Sequence, residues 1–164
     1  MRTSSLTGIP FVVVRGVAAK HKGFTLIEVL VALVVMSVGM LGIAALYLEG
    51  LRAGRTALYR TTAVNLAADM ADRIRANRNA GSAYAGNGPG ADGACVNGPV
   101  DCTAEQLAEE DWFDWNNHLD AQLPEGAGGE VSIAGAAPAT YTITVAWPEI
   151  GQDVPATYTM SVQL

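Results

Sequence analysis

Seven residues, Lys22-Gly-Phe-Thr-Leu-Ile-Glu28, carry the arrangement in this chain whose types and order most suggest a covalent event. Gly23 is small, and a bulky side chain there would obstruct a peptidase approaching the next bond. It stands before an apolar run, whereas the small cleavage residue of a secretory signal follows one. Lys20 and Lys22 lie on its N-terminal side. A cut between Gly23 and Phe24 therefore removes a basic leader, residues 1–23, and leaves the apolar segment as the new N-terminus. The other reading of Gly23 is a helix-start glycine with no processing role. Glu28 is the only side chain charged at neutral pH between Phe24 and Leu48. A carboxylate inside hydrocarbon is costly unless it is paired or protonated. The amine that a cut creates on Phe24, of the same chain or a neighbour, is its natural partner. Alternatively, Glu28 lies close enough to the interface to stay hydrated.

The remaining reactive residue types form no catalytic constellation. Cys95 and Cys102 enclose a Gly/Asn/Pro-rich stretch, and an even pair in an exported domain reads as a disulfide. Zinc is poorly supported, because the two histidines, His21 and His118, are not at ligand spacing from these cysteines. Glu109, Glu110, Asp111 and Asp114 surround Trp112 and Trp115 on an expected helix, so they read as a solvated face. Asp92, Asn97 and Asp101 form a slightly better calcium candidate, still short of the six to eight converging oxygens that calcium takes. Trp112, Trp115 and Trp147 read as core. Neither a catalytic group, a metal site nor a cofactor is expected.

Charge is segregated along the 164 residues. Residues 1–23 carry +4, residues 49–78 carry +3, and residues 79–164 carry twelve acids with no Lys or Arg. A head without cations is a poor nucleic-acid binder, since phosphate contacts need them. The 25 residues from Phe24 to Leu48 suffice to cross a bilayer core of about 30 Å. Basic residues before that span put the N-terminus in the cytoplasm and the remainder outside. The expected organisation is a leader (1–23), a membrane or fibre-core helix (24–48), an amphipathic helix half (49–78) and an acidic head (79–164). A short apolar stretch, Ile9–Val14, belongs to the leader and is too short to span.

The elements that must position these residues are legible from periodicity. Ala63, Leu66, Ala67, Met70 and Ile74 repeat on one face of a helix, with Arg60, Asp69, Asp72, Arg73 and Arg75 largely off it. No proline interrupts the run from Phe24, and Asn77 to Gly81 supplies a stop, so one helix of about 54 residues, roughly 80 Å, is expected. Gly39, Gly42, Gly50 and Gly54 weaken it by about 1 kcal/mol each, and mark places of close approach or bending. Residues 79–102 read as a loop. Thr103 and Gln106 have capping-box spacing and open a second helix with Leu107, Trp112, Trp115 and Leu119 as its apolar face, ended by Leu123-Pro124. Alternation of large apolar residues predicts strands at 141–147 and 158–164, with a shorter one at 131–133. A short connection, Pro148–Pro155, makes the long pair antiparallel. The fold class is α+β: one long N-terminal helix packed against a small antiparallel sheet, with a second short helix and a disulfide-closed loop.

Gly23-Phe24-Thr25-Leu26-Ile27-Glu28-Val29-Leu30 resembles the processing signal of the type IV pilin family, residue for residue. The resemblance implies cleavage between Gly23 and Phe24 by a prepilin peptidase, N-methylation of Phe24, and a part for Glu28 in assembly. Residues 29–46 and 67–78 look like the minor pilins of that family. It implies storage in a bacterial inner membrane, then incorporation into a surface pilus. The implied partners are other minor pilins, the major pilin, an inner-membrane assembly platform and a tip adhesin. Pseudopilins of type II secretion systems share the N-terminal signal. An uncleaved single-pass enzyme or sensor is the remaining reading. The −12 head disfavours stacking on copies of itself.

Overall fold

The structure is a computed structural model and describes residues 23–96, 98–99 and 101–164. The leader residues before Gly23, with Lys20, His21 and Lys22, lie outside the described residues, as does Asn97. The chain divides into two units, Met1–Ala45 and Leu46–Leu164.

Helix α1, Leu26–Ala76, begins in the first unit. Thr25 precedes it, and its carbonyl and hydroxyl oxygens accept from the Glu28 amide at 3.1 and 3.3 Å. Glu28 sits in the first turn, where a negative charge complements the helix dipole. The residues from Gly23 to Ala45 are all exposed, a largely apolar surface with no partner among the described residues of its unit. By length and composition, α1 is able to cross a membrane.

In the second unit, α1 buries Ala63, Leu66, Ala67, Met70, Ala71 and Ile74, the expected stripe with Ala71 added. Small residues at 63, 67 and 71 let bulky side chains from elsewhere reach the helix surface. Trp115 does so: its indole N–H donates to the Leu66 carbonyl oxygen at 2.8 Å, and it packs edge to face on Trp112 at 5.3 Å. Trp112 and Trp115 stand on α2, Ala104–Gln122. The expected capping box is present, the Thr103 hydroxyl accepting from the Gln106 amide and the Gln106 side chain accepting from the Thr103 amide. On the apolar face of α2, Leu107 is only half-buried and Ala108 takes the core position instead.

The sheet is β1 (Gly128–Ala134), β2 (Thr140–Trp147) and β3 (Ala156–Gln163), in the order β1-β2-β3 and antiparallel throughout. Its register pairs Val131 with Ile143 and Ile143 with Met160. Tyr141, Ile143, Val145 and Trp147 are buried, while the alternate β2 positions face outward. There, hydroxyl pairs join Thr142 to Ser161 at 3.2 Å and Thr144 to Thr159 at 3.3 Å. β3 is only half-buried on its inner face. Gly129 of β1 faces the Trp115 ring so closely that a Cβ there would collide with it. One apolar cluster thus joins α1, α2 and all three strands.

Residues 79–102 are not all loop. A 3-10 segment, Arg78–Tyr84, follows α1 and is bent at Gly81. It buries Ala80 and Tyr84, which is why the chain stays helical past its stop signal. Gly86 then pairs with Val131, attaching this segment to the free edge of β1.

Candidate functional site

The N-terminal segment places Gly23 and Phe24 ahead of the first helical turn, with Phe24 82% exposed. The bond between Gly23 and Phe24 lies ahead of the helix, and both residues are exposed. Phe24, Glu28, Val29, Ala32, Leu33 and Met36 line one shallow surface groove, so Phe24 and Glu28 share a face. The sequence reading missed one feature. Thr25 and Glu28 have the Thr-x-x-Glu spacing of a capping box, and the Thr25 hydroxyl accepts from the Glu28 amide. The residue that opens the helix and the residue that carries its charge are therefore coupled.

The second polar centre lies in the head, where the acidic cluster behaves differently from the solvated face expected. Only Glu109 of the first three acids is exposed; Glu110 is 5% and Asp111 7% exposed. Burial of these carboxylates is tolerated because each has donors. Asp111 Oδ1 accepts from Arg73 Nη1 at 2.9 Å, and Oδ2 accepts a short hydrogen bond from the Tyr84 hydroxyl. Arg73 Nε also donates to Asp69 at 3.0 Å, and Asp114 lies 3.9 Å from Arg73. Asn77 donates to the Ala104 carbonyl at 2.7 Å and to the Tyr84 hydroxyl at 3.3 Å. Burial opposes the charge of Arg73, but Asp69 and Asp111 outweigh it and hold its pKa above the ordinary arginine value. Burial, then the hydrogen bond to Asp111, pushes the Tyr84 phenol well above its usual range. These groups pin the end of α1, the 3-10 segment and α2 together.

Glu110 has a separate task. Its two oxygens accept from the backbone amides of Cys95 at 2.5 Å and Val96 at 3.1 Å. Cys95 and Cys102 are joined by a disulfide with their Cα atoms 5.6 Å apart. The loop is thus fixed at one end by a covalent bond and from α2 by a carboxylate. Gly90, at φ +70°, lies where a Cβ would strike the backbone of Glu109 and Phe113, so the loop passes tightly across α2. Among the described residues no group of His, Cys, Asp and Glu converges as a metal site. His118 is exposed on α2, and the three tryptophans are buried in the core.

A long helix with an apolar N-terminal part, a small antiparallel sheet, a short second helix and a disulfide-closed loop make up a type IV pilin-like fold. Residues 18–44 match the prokaryotic N-terminal methylation motif, and residues 45–113 match the family described as type IV pilin Tt1218. The two matches adjoin, and they show that the chain is similar to type IV pilins over residues 18–113. No curated protein and no solved structure matches the chain. The methylation motif implies processing by a prepilin peptidase and assembly with other pilins, and with the apolar helix it fits membrane anchoring and pilus incorporation.

Proposed function

We propose that the chain is a minor pilin of the PilV kind, a low-abundance subunit that helps initiate a type IV pilus. In this reading residues 1–23 are removed, Phe24 is N-methylated, and residues 24–48 serve first as inner-membrane anchor and then as fibre core. The observation that carries it is the order basic leader, Gly23-Phe24, capped helix start, Glu28, with an apolar helical surface that has no partner among the described residues of its unit. Such a surface is stable in lipid or among like helices, and not in water. Glu28 pairs with the Phe24 amine, its own or a neighbour's, during assembly. Phe24 and Glu28 line the same surface groove, which supports that pairing.

The −12 charge of residues 79–164 supports incorporation beside less acidic subunits over a homopolymer. Mass spectrometry of the mature N-terminus is the decisive test. Methylated Phe24 is the expected result, and an intact Met1 would sink the pilin reading. A deletion strain separates the machines: loss of surface fibres or twitching indicates the pilus, whereas loss of exoprotein secretion indicates a type II pseudopilus. Glu28→Leu is expected to keep membrane insertion and lose fibre incorporation.

A further inference from the structure

Within the second unit, the turn between β2 and β3 lies beside the first residues of α1 that follow the apolar run. Leu48, Leu51, Arg52, Arg55, Thr56, Tyr59, Glu149 and Ile150 line one groove of about 450 Å³. Its composition is amphiphilic. Leu48, Leu51 and Ile150 give apolar walls, and Ile150, on a loop tip, is 73% exposed. Tyr59 lines the groove, and Tyr47 directly precedes its first lining residue in sequence; such aromatic residues collect at membrane surfaces. Its charges are mixed. Arg52 pairs with Glu49 at 3.7 Å and Arg60 with Glu149 at 3.8 Å, both beyond hydrogen-bond length. Among the described residues, Arg55 has no carboxylate within ion-pair distance. One oxygen of the Glu149 carboxylate is buried and out of a ligand's reach; the other faces Arg60 at 3.8 Å, and the side chain is 16% exposed, which leaves only that oxygen for a ligand.

We infer that this groove seats a phospholipid headgroup while the subunit is held in the membrane, with phosphate against Arg55 and Arg52 and a primary ammonium against Glu149. This rests on the membrane-anchored state proposed above. Three features select lipid over a protein surface. The groove is continuous in sequence with the apolar run that ends at Leu48. An exposed isoleucine on a loop tip is suited to the acyl boundary. A cation and a hydrogen-bond-poor carboxylate beside each other complement both charges of phosphatidylethanolamine, and the ammonium of that lipid donates hydrogen bonds where the quaternary group of phosphatidylcholine does not. Seating the loop orients the head at the bilayer surface, where the subunit waits for extraction.

The test uses the full chain in nanodiscs of phosphatidylethanolamine or phosphatidylcholine containing headgroup-spin-labelled lipid, with a fluorophore on single cysteines at position 43, 150 or 161. The native cysteines stay joined. Quenching at 43 reports membrane insertion itself. The expected result is quenching at 43 and 150 and none at 161, stronger at 150 in phosphatidylethanolamine. Arg55→Gln is expected to lower the docked-to-free ratio about two- to fivefold, the scale of one exposed ion pair, with position 43 unchanged. Glu149→Gln is expected to abolish the difference between the two lipids. Quenching at 43 without quenching at 150 overturns the proposal while leaving the anchor intact. Loss at both positions overturns the anchored state. Equal quenching at 150 in both lipids overturns the ammonium contact. Protection of position 150 only after a second pilin is added assigns the groove to a protein partner and also overturns it.

Discussion

Asp111→Ala tests whether the buried carboxylate is a structural keystone. The substitution leaves Arg73 with Asp69 at 3.0 Å and Asp114 at 3.9 Å, and leaves the Tyr84 hydroxyl with the long Arg73 carbonyl contact at 3.4 Å as its acceptor and Asn77 as its donor at 3.3 Å. Removing one partner of a fully buried ion pair costs about 3–5 kcal/mol. The Arg73 side chain is 20% exposed, so water and the remaining acids recover part of that. The buried phenol, short of an acceptor, adds about 1–2 kcal/mol. The expected net loss is about 2–3 kcal/mol, a large share of a typical domain's 5–15 kcal/mol. Urea unfolding of the full chain in detergent, followed by tryptophan emission, measures it, since Trp112, Trp115 and Trp147 are all buried. Exposed Glu109→Ala is the control and should shift stability by less than about 0.5 kcal/mol. An Asp111→Ala loss no larger than the control's would refute the network's structural role and return the acids to a solvated face.

Three further outcomes are expected. Tyr84 holds its proton in the fold above its ordinary pKa of 10.0. Above that pH the unfolded chain binds fewer protons, so stability falls as pH rises through the alkaline range, by up to about 1.4 kcal/mol per unit from this group; Tyr84→Phe should flatten that arm of the stability–pH curve. Gly129→Ala should cost about 1–3 kcal/mol because its Cβ runs into the Trp115 ring, whereas Gly128→Ala, with open space around it, should be close to neutral by thermal unfolding. Cys95→Ser with Cys102→Ser opens an eight-residue loop and should cost about 2–3 kcal/mol on the chain-entropy account. In that variant hydrogen exchange at the Cys95 and Val96 amides should remain slow until Glu110 is also replaced, because the carboxylate holds them independently.

Local patterns in the sequence were sufficient for most of the fold. Period-2 alternation located β2 and β3, the 3.6-residue repeat located the buried stripe of α1, and Thr103 with Gln106 located the start of α2. These signals are readable because each belongs to one element and its own geometry. The 3-10 segment was missed because no periodicity marks it. It exists because Tyr84 has a buried place to go, and that place is built by residues far along the chain.

The processing segment is the part that the sequence by itself determined. In the proposed processing, Gly23, Phe24, Thr25 and Glu28 act through their neighbours in the chain, as a local substrate of a peptidase, so order and spacing contain what matters. The acidic helix is the part that only the tertiary structure decided. Glu109, Glu110 and Asp111 are three consecutive acids with the same charge and similar propensity, and nothing local separates them. Their fates diverge because α2 turns about 100° per residue. Glu109 meets water, Glu110 meets the amides of the disulfide loop, and Asp111 meets Arg73 and Tyr84. A buried charge is defined by its donors, and these donors come from residues 14 to 38 positions away.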